Sequence, residues 1–317
     1  MKRIVCLIVA AVLAVASFAA GVPGPALPKE IRVSYVKSPF NLPLIIAVRR
    51  GMLEKAFAAK GVAVRFYEID SGAKQAEAMA AGSLDIAAVI NTTSVILAAA
   101  GGNELEIVSG FSRPIGLFAI VVKDPAIRSI ADLRGRTVAG PKGTVLHQLL
   151  AAALVHSGLA MSDVDFLQMD IPAARTALLA GQVDAALLAA SNVVFAKAAG
   201  ARVLATAEGY LEPQLVVAAR SAFVRDYPEL VDLYVLVHRQ ALAWIDAHAE
   251  EALAIGAAEE GISAGEAGEL SSESHFTAEI GRPELEAMYQ DVKFMLDAGM
   301  LSVSVDPKTL LRPGLPR

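Results

Sequence analysis

The sequence predicts an α/β protein with two separate β-sheets. Short β-branched runs alternate with alanine-rich helical stretches, an alternation that favours α/β folds with largely parallel strands. The predicted strands form two series along the chain, and two sheets accommodate them better than one very wide sheet. The first series is Ile31–Val36, Val62–Ile69, Leu84–Val89, Glu106–Ser109 and Leu117–Val122, and the second is Thr137–Ala139, Val164–Gln168, Val183–Leu188 and Arg202–Ala205.

An internal repeat supports two related halves. The segment 82–87, read Gly-Ser-Leu-Asp-Ile-Ala, matches 181–186, read Gly-Gln-Val-Asp-Ala-Ala, and the match continues in register to Gly101 and Gly200. A repeated unit of this kind indicates a repeated supersecondary structure. We therefore expect both segments to form the same helix, turn, strand, loop and helix, one copy in each half.

The strands stop near Ser221, and helices follow. Two sets of apolar residues recur at helical spacing, as expected for helices that pack on a core rather than for a cofactor site. The first set is Leu230, Tyr234, Val237, Ala241 and Trp244, and the second is Leu285, Met288, Val292, Met295 and Leu296, which ends near Gly299. A further helix is predicted earlier in the chain, over Val145–His156.

The N-terminus has the layout of a secretory signal peptide. Lys2 and Arg3 precede an apolar run over 4–20, and small residues follow it. The run is shorter than the ~20 apolar residues that a membrane-spanning helix needs. We therefore expect residues 1–21 to be a signal peptide, cleaved between Ala20 and Val22, which places the soluble protein in the periplasm; an uncleaved anchor is the alternative.

Charge and cysteine content exclude several classes of function. The formal net charge is −5 with 28 basic and 33 acidic residues, and removal of Lys2 and Arg3 makes it 26 − 33 = −7. An acidic chain without a basic stripe argues against a nucleic-acid partner. The only cysteine, Cys6, lies in the leader, so a disulfide scaffold and thiol catalysis are both excluded.

Short motifs then appear in a characteristic order along the chain. They are Leu53-Glu54-Lys55, Ala81-Gly82-Ser83-Leu84-Asp85, Lys123-Asp124-Pro125, Ser-Ile-Ala-Asp-Leu-Arg-Gly over 129–135, Gly181-Gln-Val-Asp184-Ala185 and Gly200-Ala-Arg-Val-Leu204. In this order they resemble the substrate-binding proteins of ABC importers for aliphatic sulfonates, taurine and nitrate. The resemblance runs from about Ile31 to Gly299.

The resemblance implies a type II periplasmic-binding fold, in which two lobes are joined by two crossover strands and a ligand cleft lies between them. The crossover strands would be Leu117–Val122 and Gln214–Ala218. Lobe 1 would comprise 22–116 and 214–317, and lobe 2 would comprise 117–213. The implied function is capture of a small organic or inorganic anion, with no cofactor and no metal, by a monomer that delivers it to a membrane permease and its ATPase.

The chain departs from the family pattern at two cleft positions. Sulfonate-type members typically place Glu where this chain has Asn91, and Trp-Asp-Pro where it has Ala189-Ala190-Ser191. An ammonium group on a ligand would find no carboxylate at these two positions. The expected ligand is therefore an anion without an amine, or a more apolar or neutral molecule.

Five loops are candidates for ligand binding, because ligands of α/β sheets lie beyond the carboxyl ends of strands, where helices begin. Helix N-termini with free N–H groups and hydroxyls favour oxyanions. The alternative is that these short polar side chains only cap helices or form turns. The candidate residues are Phe40 and Asn41, Ser71 and Gly72, Asn91 and Thr92, Gly143 and Thr144, and Ser191 and Asn192.

Other chemistries fail on spacing. Pro141 separates Gly140 from Lys142, so no phosphate-binding loop is formed, and the five histidines show no zinc pattern. Asp85 and Asp184 are expected to end equivalent strands as turn residues rather than to form an acid–base pair. The open alternatives are an enzyme on the same fold, of menaquinone-pathway or pyrimidine-precursor type, or a sensor module that presents its ligand to a receptor.

Overall fold

The computed structural model describes residues 25–36, 40–114 and 116–315. The predicted signal peptide and its cleavage site lie outside these residues. Positions 37–39, 115, 316 and 317 also lie outside them. Across the described ranges, no helix combines the length and the apolar character that a bilayer-spanning segment requires.

The strands form two five-stranded sheets. The first sheet has the order β2-β1-β3-β10-β4 and the second has the order β7-β6-β8-β5-β9, in the numbering that follows. The strands are β1 (Glu30–Tyr35), β2 (Ala63–Glu68), β3 (Ile86–Asn91), β4 (Leu105–Ser112), β5 (Phe118–Val122), β6 (Thr137–Gly140), β7 (Asp165–Gln168), β8 (Ala185–Ala189), β9 (Arg202–Thr206) and β10 (Leu215–Arg220).

Helices connect the strands and fill the C-terminal third. They are α1 (Leu42–Arg49), α2 (Met52–Ala58), α3 (Gly72–Ala80), α4 (Thr92–Ala100), α5 (Val145–His156), α6 (Ile171–Leu179), α7 (Ser191–Ala198), α8 (Ser221–Asp226), α9 (Pro228–Ala247), α10 (Ala249–Glu260), α11 (Ala264–Ser274) and α12 (Arg282–Asp297). We call the first sheet with α1–α4 and α8–α12 lobe 1, and the second sheet with α5–α7 lobe 2.

Each sheet contains one strand that runs against its neighbours. In lobe 1, β1 pairs parallel with β2 and β3, whereas β10 pairs antiparallel with β3 and β4. In lobe 2, β6 pairs parallel with β7 and β8, whereas β5 pairs antiparallel with β8 and β9. The chain crosses between the lobes just before β5 and just before β10, so the two predicted crossover strands are confirmed.

The internal repeat occupies equivalent places in the two lobes. Segment 82–101 forms β3 and α4, segment 181–200 forms β8 and α7, and each strand lies beside the antiparallel strand of its sheet. Asp85 accepts from the backbone N–H of Arg32 at 3.0 Å, and Asp184 accepts from that of Thr137 at 2.9 Å. The repeat thus includes a carboxylate that ties two parallel strands together.

This carboxylate contact corrects one prediction. Asp85 and Asp184 precede β3 and β8 instead of ending strands, and each accepts a backbone N–H of the neighbouring parallel strand, from Arg32 within β1 and from Thr137 at the start of β6. Burial alone would raise the pKa of Asp85, but the hydrogen bonds from Arg32 and Arg220 outweigh burial and lower that pKa. Both aspartates are therefore structural, as expected.

The two C-terminal apolar stripes lie on α9 and α12. On α9, Leu230, Tyr234, Val237 and Ala241 are buried, and on α12, Leu285, Met288, Val292 and Met295 are buried. Segment 250–274, for which the sequence showed no clear helical spacing, forms α10 and α11. These helices pack on lobe 1, and α10 contacts α1 at the end of the lobe that faces the cleft.

Candidate functional site

A small cavity lies between the lobes, at the carboxyl ends of β1 and β3 and beside the N-termini of α3, α5 and α6. Its volume is about 40 Å³. A cavity needs about 10–15 Å³ to admit one water molecule, so this one has room for a few waters or a compact polar group. It is lined by Val36, Asp70, Ser71, Gly72, Val89, Asn91, Phe118, Pro141, Thr144, Val145, Leu146, Asp170, Ile171 and Leu215.

Three helix N-termini meet at the polar side of this cavity. Ser71, Asn91 and Thr144 are the N-cap residues of α3, α4 and α5, and all three have extended backbones. The side chains of Ser71 and Thr144 do not cap their helices. The N–H groups of a first helical turn have no partner within the helix and carry partial positive charge. The three termini therefore favour an electron-rich ligand group.

Asn91 links two of these helices across the lobes. Its Oδ1 accepts from the N–H of Ser94 at 2.9 Å within α4, and from the N–H of Val145 at 3.2 Å at the start of α5 in lobe 2. A Cβ atom on Gly72 would lie 2.8 Å from Asn91 Nδ2, so only glycine allows α3 to approach this amide. The amide oxygen thus lies where the N-termini of helices from opposite lobes converge.

Gly143 and Thr144 form the lobe 2 side of the same junction. Gly143 has φ +71, and its carbonyl accepts from Ser94 Oγ at 2.8 Å across the lobes. Thr144 is buried and its hydroxyl donates to the carbonyl of Pro141 at 2.8 Å. That hydroxyl proton is engaged within the protein, so the group that Thr144 offers to a ligand is its oxygen lone pair or its backbone N–H.

The remaining walls of the cavity are apolar, and the sequence alone did not predict that these residues would line it. Val36, Phe118 and Leu215 lie at strand ends that face the cleft, Val89 lies within β3, and Ile171 begins α6. Each belongs to a run that reads simply as buried strand or helix, so only the two-lobed geometry identifies it as a wall. Within the described part of the chain, no lysine or arginine lines the cavity.

Two carboxylates mark the mouth of the cavity. Asp70 and Asp170 line both the cavity and an outer groove of about 600 Å³. Lys74 of lobe 1 donates to both oxygens of Asp170 in lobe 2, at 2.9 and 2.8 Å. The cleft therefore does contain carboxylates, although neither comes from the two positions that the family pattern led us to compare.

The other predicted site residues lie away from this cavity, and their contact with a ligand stays a prediction. Phe40 packs beside Gly256 of α10, and Asn41 donates from Nδ2 to the carbonyl of Val36 at 2.9 Å. Thr92 donates its N–H to the carbonyl of Gln214 at 3.1 Å. Ser191 and Asn192 are buried at the start of α7.

The start of α7 is associated with a carboxylate of the protein itself. Ser191 Oγ donates to Glu260 Oε2 at 2.6 Å, from lobe 2 to the end of α10 in lobe 1. The neighbouring Glu259 accepts from the hydroxyl of Tyr35 at 2.7 Å, and burial first, then this hydrogen bond, raises the pKa of Tyr35. Sequence spacing gave no signal for these contacts, because Glu260 is 69 residues from Ser191 along the chain.

Comparisons with known proteins agree with this geometry. The family model described as NMT1/THI5 like matches residues 41–252. The chain is 31% identical to a protein of Bacillus subtilis (strain 168) named as an aliphatic sulfonates-binding protein, over 71% of this chain and 68% of that protein. It is 29% identical to a protein of the same description from Escherichia coli (strain K12), over 58% of this chain and 56% of that protein, just over half of its length.

A solved structure shares the fold. The alkanesulfonate-binding protein of Xanthomonas axonopodis pv. citri, bound to MOPS, superposes with a TM-score of 0.81 and 23% sequence identity. The superposition covers 91% of this chain and 99% of that structure. The predicted two-lobed periplasmic-binding architecture is thus confirmed.

Proposed function

Because this chain belongs to the NMT1/THI5-like family, we propose that it is the extracytoplasmic solute-binding component of an ABC importer and captures a small sulfonate-like anion between its lobes. The relatives named as sulfonates-binding proteins support this proposal, and those names also favour binding over catalysis. A permease with its ATPase would receive the solute. Export into the periplasm follows from the same proposal and from the predicted signal peptide.

The observation that carries the proposal is the convergence of the α3, α4 and α5 N-termini on a cavity without a lysine or arginine in its described lining. Each helix N-terminus favours an anion by ~0.3–1 kcal/mol, and each hydrogen bond to a charged group adds ~1.5–3 kcal/mol. A few such donors supply much of the ~8 kcal/mol that micromolar binding requires. The apolar walls would take the carbon chain of an organic sulfonate.

The cleft favours a sulfonate without an amine. Asn91 and Ala190 offer no carboxylate where the family pattern has acids, and Lys74 already pairs with Asp170 at the mouth. An ammonium group would lose the two carboxylate partners that the family pattern offers it, which is unfavourable on burial. We therefore expect ethanesulfonate to bind more tightly than taurine, its 2-amino analogue.

The test is native mass spectrometry of the protein as purified, followed by calorimetry with ethanesulfonate, taurine, nitrate and sulfate. A retained mass of a sulfonate, and the tightest binding by ethanesulfonate, are expected. Absence of binding by every anion, with a neutral molecule retained instead, would contradict the proposal.

Thr144→Asp sharpens this test, because a carboxylate at the α5 N-cap would repel the anion. We expect it to abolish binding, while Thr144→Ala weakens binding by ~1–2 kcal/mol, roughly tenfold in affinity, because the start of α5 loses the hydrogen bond to Pro141 that positions its N–H groups. Thr144→Ser, which keeps the hydroxyl, is the matched control and should bind nearly as the parent does. Unchanged affinity in a folded Thr144→Asp protein would move the ligand site elsewhere.

A further inference from the structure

A second buried amide, besides Asn91, joins the lobes beside the cavity. Gln148 lies in the second turn of α5 in lobe 2 and is only 1% exposed. Its Oε1 accepts from Thr93 Oγ1 of α4 at 2.5 Å, and its Nε2 donates to Asp291 Oδ1 of α12 at 2.5 Å. Both partners belong to lobe 1, so lobe 1 engages both ends of an amide carried by lobe 2.

Separation of the lobes has to break both contacts. Thr93 and Gln148 are each 1% exposed and Asp291 is 8% exposed, so opening would bring three buried polar groups into water. Because the amide is planar and its two ends are bonded to different helices, both hydrogen bonds form only at one relative position of the lobes. The chain Thr93–Gln148–Asp291, which we call the clamp, is therefore made in the closed arrangement and lost in an open one.

We infer that Gln148 is a positioning residue for solute capture: through Thr93 and Asp291 it holds the lobes closed. Because closure also buries Asp291, closure depends on whether this carboxyl carries a proton. The inference rests on the proposed solute-binding function. The clamp lines no part of the ligand cavity, so it acts on affinity through lobe closure alone.

The surroundings of Asp291 explain the proton dependence. Burial is the largest influence and raises its pKa, the hydrogen bond from Gln148 lowers it, and the charge of Glu212 raises it again, which leaves the pKa at about 7. Glu212 belongs to the segment that leads into β10, and it shares with Asp291 a groove of about 500 Å³. The other charged or titratable groups that line this groove are Tyr210, Glu286, Lys293 and Asp297, of which Lys293 and Asp297 pair with each other at 2.7 Å.

The direction of the effect follows from these values. In an open protein, water reaches Asp291 and its pKa returns toward the ordinary value of 3.8. The closed state then binds more protons than the open state between about pH 4 and pH 7, so acid favours closure and rising pH opposes it. Two other buried groups, His147 and His238, have pKa values lowered by burial to about 4. His147 packs on Phe166 within lobe 2 and His238 packs on Phe111 within lobe 1, so separation of the lobes leaves both contacts in place.

The closure itself can be measured without any solute. In a Cys6→Ser background the chain has no cysteine, so Glu77→Cys on α3 and Thr176→Cys on α6 would carry the only two spin labels. We expect the labels to move apart as pH rises from 5.5 to 8.5. Asp291→Asn, which keeps an acceptor for Gln148 but cannot titrate, should hold one distance throughout, and Gln148→Ala should favour the longer distance at every pH.

Ethanesulfonate affinity is the second measurement. A pKa difference of about 3 units predicts a Kd that is roughly 10- to 30-fold weaker at pH 8.5 than at pH 5.5 in the parent protein. Asp291→Asn should flatten this profile to less than about 2-fold. Gln290→Ala, an exposed neighbour in the same groove, is the matched control and should keep the parent profile.

The two measurements separate the clamp from the proposed function. Identical label distances and identical pH profiles in the parent and Asp291→Asn would overturn the clamp, even if ethanesulfonate binds well. If no sulfonate binds to any variant but the label distances change with pH as expected, the proposed function fails and the clamp stands.

Discussion

The two copies of the internal repeat use the same turn for different purposes. In lobe 1 the turn after β3 places Asn91 at φ −80, and its amide caps α4 and also reaches α5. In lobe 2 the turn after β8 places the equivalent Ala190 at φ 45 and ψ −119, with no side chain able to cap α7. One turn lines the ligand cavity, and the other packs with Phe40 and Leu117 in a buried apolar cluster.

The two copies of this supersecondary unit therefore serve different roles. The copy in lobe 1 contributes to the proposed binding site, and the copy in lobe 2 contributes to the contact between the lobes. The Asn91 amide carries no charge, so it does not neutralise the partial positive charge at the N-termini of α4 and α5. At the other turn, Ser191 binds Glu260, so a carboxylate of lobe 1 already lies at the start of α7. We therefore expect the proposed anion to bind on the lobe 1 side of the cleft and at the start of α5.

Asn91→Asp should have the largest effect on sulfonate binding. A carboxylate near the three helix N-termini would compete with the anion, and two charges at about 4 Å repel by ~4 kcal/mol at the effective dielectric of a protein surface. We expect ethanesulfonate affinity, measured by calorimetry, to fall by about 100-fold or more, whereas taurine, whose ammonium group can pair with a carboxylate at this position, should lose less. The free energy of unfolding should not decrease, since Asp and Asn are equally good N-caps.

Asn91→Ser is the control for this change, because it keeps a short uncharged acceptor. It should retain affinity within about tenfold of the parent. Equal losses in Asn91→Ser and Asn91→Asp would mean that Asn91 acts through its shape rather than through its lack of charge.

Ala190→Gly should affect stability rather than binding. A non-glycine residue in such a backbone conformation stores ~1–3 kcal/mol, and glycine would release this strain at an entropic cost of ~0.5–1 kcal/mol. We expect a net gain of about 1 kcal/mol in the free energy of unfolding by denaturant titration. Ala189→Gly, in the neighbouring strand, should instead destabilise the protein.

Lys74→Ala should have the smallest effect. The Lys74 and Asp170 side chains are 53% and 55% exposed, so their ion pair across the lobes is strongly screened. Its loss should change sulfonate affinity by less than ~1 kcal/mol, and less still at high salt. A large, salt-independent loss of affinity would place Asp170 in direct contact with the ligand.

Most of the fold could be predicted from the sequence, because alternating strands and helices and the 82–101 repeat are local patterns. Helix α5 begins and ends where the spacing predicted. Strand β3 begins at Ile86 rather than Leu84, because the Asp85 carboxylate, instead of a backbone carbonyl, accepts the N–H of Arg32 in β1. Such a shift depends on a tertiary contact that no local pattern contains.

The site was predictable only in part. Ser71, Gly72, Asn91 and Thr144 were identified because loops that lead into helices carry a recognisable signature, and all four line the cavity. Phe118 and Gln148 were missed, since each belongs to an element that reads as ordinary core. Their proximity to the cleft follows from how the two lobes meet, which a single sequence does not encode locally.

Strand β10 lies between β3 and β4 in the lobe 1 sheet, although the chain reaches it only after every strand of lobe 2. Lobe 2 can therefore complete its sheet from one continuous segment, whereas β3 and β4 keep unpaired edges until residues 215–220 arrive. Such long-range pairing is intrinsically slow, and exposed edges are prone to aggregation. We therefore expect the half that carries Asn91 to be the last to become native as the chain folds.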